Sequence, residues 1–412
     1  MYKNKHLPGI FVLYLLLPLL ACAQQPLRVL EYNTVTTGAE RFNDYLPLLK
    51  KKKVAVVTNV TGVVDNKSII DTLLRRGVRI VKIFGPEHGF RSNVDAGLHV
   101  KNNKDPKTGI PIISLYGANK KPSREQLKNV DIVIYDIQDI GVRFYTYIST
   151  LTYVMQACAE NKKPVIVLDR PNPNGFYIDG PVLTKAYRSF LGLHPVPVVY
   201  GMTCGEYAQM INAEGWLSSD TAAFESLPRT SPTLTCNLTV ISMKNYDRNC
   251  SYHLPVKPSP NIPNNISVLL YPSLGLFEGT IASLGRGTHT PFQVVGHPAF
   301  SDTSFGFTPL ATPLNKEPRY LNKRCFGLDL RYSDYINEHP HRLELRWLQR
   351  LSNDLMTKNF FEQNFNYHAG NKELQEQLKA GTPLEDIRKS WQPGITQFKK
   401  IREKYLLYGD FQ

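Results

Sequence analysis

Short runs rich in valine and isoleucine recur between residues 53 and 201, separated by segments with helical character, and this alternation limits the fold more than any other feature. KVAVVTN, VRIVKIF, PIISLYG, DIVIYD, KPVIVLD and HPVPVVYG read as strands, whereas SIIDTLLRRG, SREQLKN, TYISTLTYVMQACAENK and GEYAQMINAEGWL read as helices. Apolar residues at nearly every position suit strands covered on both faces, and strand–helix alternation generates a largely parallel sheet. The expected class is α/β, a Rossmann-like, mostly parallel sheet domain followed by a smaller mixed α+β C-terminal domain. Ligands of such sheets lie in the crevice beyond the carboxyl ends of the strands. Three runs end there in polar bursts: VKIF leads into GPEHGFR, DIVIYD into IQDIGVR, and KPVIVLD into RPNPNG.

A chain of 412 residues exceeds one ordinary core, because single cores stop growing at about 250–300 residues. Lys3, Lys5 and His6 precede an apolar stretch, Ile10 to Leu20, that is too short to span a bilayer, so residues 1–23 read as a secretory signal. Its end reads two ways: Leu19-Leu20-Ala21-Cys22 resembles a lipobox with Cys22 as the lipidated residue, and Ala21-Cys22-Ala23 fits A-x-A cleavage. Either way the expected location is exported, periplasmic or envelope-associated, with a lipid on Cys22 as the sole membrane attachment. Residues 24–254 are expected to form the catalytic sheet domain and 255–412 the second domain, since the proline-rich HLPVKPSPNIPNN forbids continuous helix or central strand. Beyond it SVLLYPSL, TIASLGRG and FGLDLRY read as short strands; the region after about Asn337 reads as mostly helical, with Thr382 and Glu385 as a capping box.

Apolar content of 42% with 20% charged residues excludes a disordered chain. Lys and Arg exceed Asp and Glu by 14, or by 12 once Lys3 and Lys5 leave with the signal. The lysines are scattered, however, and the one dense run, Lys50 to Lys53, leads directly into a strand, so no nucleic-acid track is expected. Cys158, Cys204, Cys236, Cys250 and Cys325 form neither a disulfide framework nor a C-x-x-C metal pattern, although a single Cys236–Cys250 bridge is conceivable.

In the first burst glycines bracket Glu87 and His88, so Glu87 can project as a general acid or base; the structural alternative pairs it with Arg91. The second burst offers Asp136, Gln138, Asp139 and Arg143, with Tyr145 and Tyr147 behind them as sugar-stacking or core aromatics. In the third, Pro171 and Pro173 stiffen a loop presenting Asp169, Arg170, Asn172 and Asn174, although turn chemistry alone also explains such residues. Tyr200, Thr203 and Glu206 follow another apolar run, and Glu278, Arg286 and His289 lie beyond the proline-rich segment, which suggests a cleft between the two halves. The sequence contains no G-x-G-x-x-G, Walker A, G-x-S-x-G or H-E-x-x-H motif, and no cofactor or metal is expected.

GAERFNDYLPLLKKKKVAVVTNVTG, KIFGPEHGFR, DIQDIGVRFYTYISTL, LDRPNPNG, PVVYGMTCGEYA, LPVKPSPNIPN, YPSLGLFEGT and GRGTHTPFQ together resemble the exo-β-N-acetylmuramidase (NamZ-like) family, over about residues 37 to 412. The resemblance implies a glycosidase that removes N-acetylmuramic acid from the non-reducing ends of peptidoglycan fragments of the MurNAc-GlcNAc type. Two carboxyl groups ordinarily serve such hydrolysis. Within the matching motifs Glu87 is the first candidate for the acid and Asp139 for its partner, ahead of Asp169, Asp136 and Glu278. The lactyl carboxylate of muramic acid calls for a cation, with Arg143, Arg170 and Arg286 as candidates, and His88 can bond the acetamido group or tune Glu87. His289 departs from an acid expected after the G-R-G-T turn. Two other classes stay open: a non-catalytic muropeptide-binding lipoprotein, and a metal-dependent hydrolase built on Asp136, Asp139, Asp169 and His88.

Overall fold

The expected apolar runs become adjacent strands of one sheet. The computed structural model describes residues 35–90, 103–219, 222–224, 233–250, 252–313, 315–337 and 341–411; the signal segment with Cys22, and Arg91, lie outside these. In chain order the strands of the first half are β1 (Lys53–Thr58), a small hairpin β2 (Val63–Val64) and β3 (Lys67–Ser68), then β4 (Arg79–Gly85), β5 (Asn103–Lys104), β6 (Pro111–Ser114), β7 (Ile132–Asp136), β8 (Val165–Leu168) and β9 (Leu238–Ile241). The main sheet runs β5-β6-β4-β1-β7-β8-β9, and only the edge strand β5 is antiparallel to its neighbour. Numbered along the chain, its six parallel strands stand in the order 3-2-1-4-5-6 of a doubly wound sheet, with the switch point between β1 and β7.

Side chains alternate across this sheet as the pleat demands. Val54, Val56, Ile132, Ile134 and Ile166 bury against Tyr45 and Leu49 of α1 (Phe42–Leu49) and Ile69 and Leu73 of α2 (Ile69–Arg75). Ala55, Val57, Val133, Tyr135 and Val165 face the other layer. The short α3 (Arg124–Leu127) is opened by Ser123 through a capping box with Gln126. The opposite layer contains α4 (Tyr147–Glu160) and α5 (Cys204–Ala213), whose N-cap Thr203 forms a capping box with Glu206. That core continues without interruption into the second half through Val268, Leu343, Trp391 and Phe398, and contacts join Asn33–Gln412 into one compact unit.

The second half starts with α6 (Asn265–Leu274) and a three-stranded antiparallel sheet ordered β10-β12-β11, from β10 (Val294–His297), β11 (Gly306–Phe307) and β12 (Cys325–Asp329). Helices follow: α7 (Asp334–Asn337), α8 (Arg346–Asp354), α9 (Phe365–Ala369), α10 (Glu373–Lys379) and α11 (Leu384–Arg402). Several expectations need correction. SVLLYPSL is helical, because Asn264 and Ser267 cap its start and burial on nearly all sides removed the periodicity that marks a helix. HPVPVVYG and TIASLGRG form only isolated bridges, through Val199 and through Thr280 and Ser283. Pro383, not Thr382, stands at the start of α11, and no side chain caps it. Cys236 and Cys250 are both free thiols.

Candidate active site

The first burst makes a tight turn directly after β4. The Gly89 N–H donates to the Pro86 carbonyl at 2.9 Å, and His88 takes the left-handed conformation at φ 68°, which is rare for a non-glycine residue. The turn presents Glu87 and His88 to a cleft beyond the carboxyl ends of the strands. Phe144 to Tyr147, at the start of α4, form another wall. Ser259 and Asn261 of the proline-rich segment and Tyr271, Glu278, Arg286 and Phe292 of the second half complete it.

Polar contacts fix this wall. Thr146 Oγ1 donates to Glu87 Oε2 at 2.6 Å. Tyr145 donates to the Pro258 carbonyl at 2.7 Å, and Asn59 Nδ2 donates to the Tyr147 hydroxyl at 2.8 Å. Arg286 Nη2 stands 2.5 Å from Glu278 Oε1, and its guanidinium lies 5.0 Å from the centre of the Phe292 ring. Gly285 and Gly287 flank Arg286 at φ 71° and 82°, so the G-R-G turn needs both glycines. The Tyr271 ring packs between Phe144, Tyr145 and Phe292. Burial, and next the Glu278 charge, push its phenol well above the usual range; Arg286 opposes this and Glu87 adds to it. Tyr271 is therefore a neutral donor at physiological pH.

Of the residues expected from sequence, the cleft gathers Glu87, His88, Tyr145, Tyr147, Glu278 and Arg286. The others have different work. Asp136 is wholly buried and forms a bidentate pair with Arg170, Nε to Oδ1 at 2.6 Å and Nη2 to Oδ2 at 2.9 Å. Asp139 accepts from the Gly141 N–H at 2.7 Å and from the Tyr200 hydroxyl, and among the described residues no cation pairs with it. Burial raises its pKa to about 6 despite those hydrogen bonds. Asp169, raised by burial to about 6 as well, accepts from Thr203 Oγ1, the Gly205 N–H and the Tyr408 hydroxyl. Asn172 Nδ2 donates to the Met202 carbonyl, and Asn174 Nδ2 to those of Ile140 and Val268. Arg143, fully buried, donates to the carbonyls of Pro181, Val196, His368 and Ala369 at 2.8 to 2.9 Å. Burial lowers its pKa to about 9, which still leaves it charged at neutral pH. Gly370, at φ 86°, lets the chain approach it, since a Cβ there would stand 2.4 Å from Arg143 Nη2.

Of the four groups considered for a metal, Asp136, Asp139 and Asp169 are thus held by separate partners, while His88 lines the cleft. Among the described residues no three His, Cys, Asp or Glu side chains gather as metal ligands. His289 is exposed and does not line the cleft. Sequence reasoning missed Thr146, Tyr271 and Asn261, although all three stand within or beside quoted motifs; their signal was adjacency to the bursts, masked by ordinary polar and aromatic identity.

One further network binds the two halves. Leu407 donates its N–H to Glu206 Oε1, Arg248 holds both Glu206 oxygens at 2.7 Å, and Asp410 pairs with Arg402 at 2.6 Å. Residues 405–411 thereby strap the start of α5 and the end of β8 through Tyr408.

A doubly wound sheet whose cleft, beyond the strand ends, carries two carboxylates and is closed by residues of a second half is the class of an α/β enzyme with the pair of groups that glycoside hydrolysis uses. The N-terminal model of the exo-β-N-acetylmuramidase NamZ matches residues 54–266 and the C-terminal model matches 269–408, so the chain belongs to the NamZ family. It is 38% identical over 402 residues to the peptidoglycan β-N-acetylmuramidase NamZ of Bacillus subtilis strain 168, covering 91% of each chain. Two crystal structures of DUF1343 family proteins from Bacteroides fragilis NCTC 9343 are also similar. One has TM-score 0.82 and 42% identity, covering 92% of this chain and all of that one. The other has TM-score 0.77 and 30% identity, covering 91% and 99%.

Proposed function

We propose that this protein hydrolyses the β-linked N-acetylmuramic acid at the non-reducing end of peptidoglycan fragments, with Glu87 and Glu278 as its two carboxyl groups. The observation that carries the reading is convergence: Glu87 from the sheet half and the Glu278–Arg286 pair from the second half face one cleft. Glycoside hydrolysis needs a proton for the leaving oxygen and a carboxylate opposite it. Glu278, ion-paired to Arg286, serves as the carboxylate, and Glu87 gives the proton. Arg286 is the candidate arginine that lines the cleft, so it receives the lactyl carboxylate, while Arg143 and Arg170 hold the fold. The neutral Tyr271 phenol offers a donor to a sugar oxygen. The signal-like residues 1–23 support export, with action on fragments in the cell envelope and attachment through Cys22 if it is lipidated.

A chromogenic β-N-acetylmuramide tests this directly. Glu87→Gln and Glu278→Gln should each lower kcat by roughly 100-fold or more, with folding intact. Full turnover by either variant would overturn the assignment of that carboxyl group. Tight binding without turnover by the unaltered protein would overturn hydrolysis itself.

A further inference from the structure

We infer that Thr146 is a positioning residue that selects which oxygen of Glu87 faces the substrate. The inference rests on the reading of Glu87 as a carboxyl group of the reaction. Thr146 is the N-cap residue of α4, where a threonine hydroxyl ordinarily accepts from a backbone N–H of the first turn. Here it makes no such bond. Its hydroxyl donates instead to Glu87 Oε2 at 2.6 Å, across 59 residues of chain. The first turn of α4 contains no acidic residue of its own, so the acid at this helix end comes from the β4 turn.

The consequence is stereochemical. With Oε2 occupied by a buried donor, Oε1 is the oxygen left to deliver a proton into the cleft. A carboxyl group rotating about its last torsion would present either oxygen, in many orientations. The hydroxyl removes that freedom and keeps the reacting oxygen in one place, an effect that belongs to the turnover step and not to binding. Thr146 itself is 6% exposed, so water is a poor substitute for the lost donor.

Thr146→Val keeps the shape and removes the donor, whereas Thr146→Ser keeps the donor. On the chromogenic muramide Thr146→Val should lower kcat about 10- to 100-fold with KM within about twofold, and Thr146→Ser should recover most of the rate. In a Glu87→Gln background the valine substitution should cost no further rate, because the group it positions is gone. If Thr146→Val lowers stability but leaves kcat unchanged, or Thr146→Ser recovers none of the rate, the positioning role is refuted. If Glu87→Gln is itself fully active, the failure lies with the underlying reading of Glu87.

Discussion

Asp139→Asn separates a buried structural carboxyl from a catalytic one, and its magnitude follows from the burial of the group. Asp139 titrates near 6 in the folded protein, raised from 3.8 by burial and only partly restrained by Tyr200 and the Gly141 and Ile140 amides. In the unfolded chain an aspartate titrates near its ordinary value, about 3.9. Between those values the folded state binds a proton that the unfolded state has released. The stability contributed by neutral Asp139 is therefore complete below about pH 4 and lost as pH rises through about 6. Over the window from about pH 4.5 to 7.5 the loss amounts to about 2 kcal/mol. Asparagine stays neutral throughout and can still accept from Gly141 and Tyr200. Urea denaturation across that window should show the variant gaining about 2 kcal/mol relative to the unaltered protein as pH rises. Asp169, raised to about 6 as well, adds a parallel slope common to both proteins and cancels in the difference. Turnover of the muramide at neutral pH should stay within a few-fold. A pH-independent difference would refute the burial argument, and loss of turnover in a folded variant would place Asp139 in the reaction.

Arg143→Met removes the donor shared by the carbonyls of Pro181, Val196, His368 and Ala369, of which Val196 keeps the Leu183 N–H, and should destabilise by about 3–5 kcal/mol in urea denaturation; a change under about 1 kcal/mol would contradict the clasp. Arg286→Met should lower kcat/KM on the N-acetylmuramide far more than on the corresponding N-acetylglucosaminide, narrowing the preference about 10-fold or more. Equal losses on both sugars would mean that Arg286 serves Glu278 alone.

The sheet was legible because its strands are covered on both faces: Val54, Ile134 and Val167 sit in runs with no polar interruption. The bursts after those strands were legible as a place but not as roles. Glu87, Asp139 and Asp169 share one local pattern, an acid just past an apolar run, and nothing nearby distinguishes them. Their fates are decided by partners far along the chain: Tyr200 is 61 residues from Asp139, and Tyr408 is 239 from Asp169. Arg143 looked like a substrate fork because its carbonyl partners, being backbone, leave no trace in residue identity. Glu278 and Arg286 were visible as a cluster beyond the proline-rich segment, and the fold brings that cluster to Glu87.

The strap formed by residues 405–411 bears on the order in which this protein acquires its structure. Asp169 and Glu206 are buried beside the sheet, yet each takes hydrogen bonds from residues about two hundred positions later. Until Leu407 and Tyr408 have been synthesised, the end of β8 and the start of α5 hold desolvated acids with incomplete partners, a state that favours opening over closure. Such long-range closure is slow. The sheet half, although it comes first in the chain, completes these hydrogen bonds only with residues 407 and 408 in place, so removing residues 405–411 would weaken the sheet half and not the second half alone.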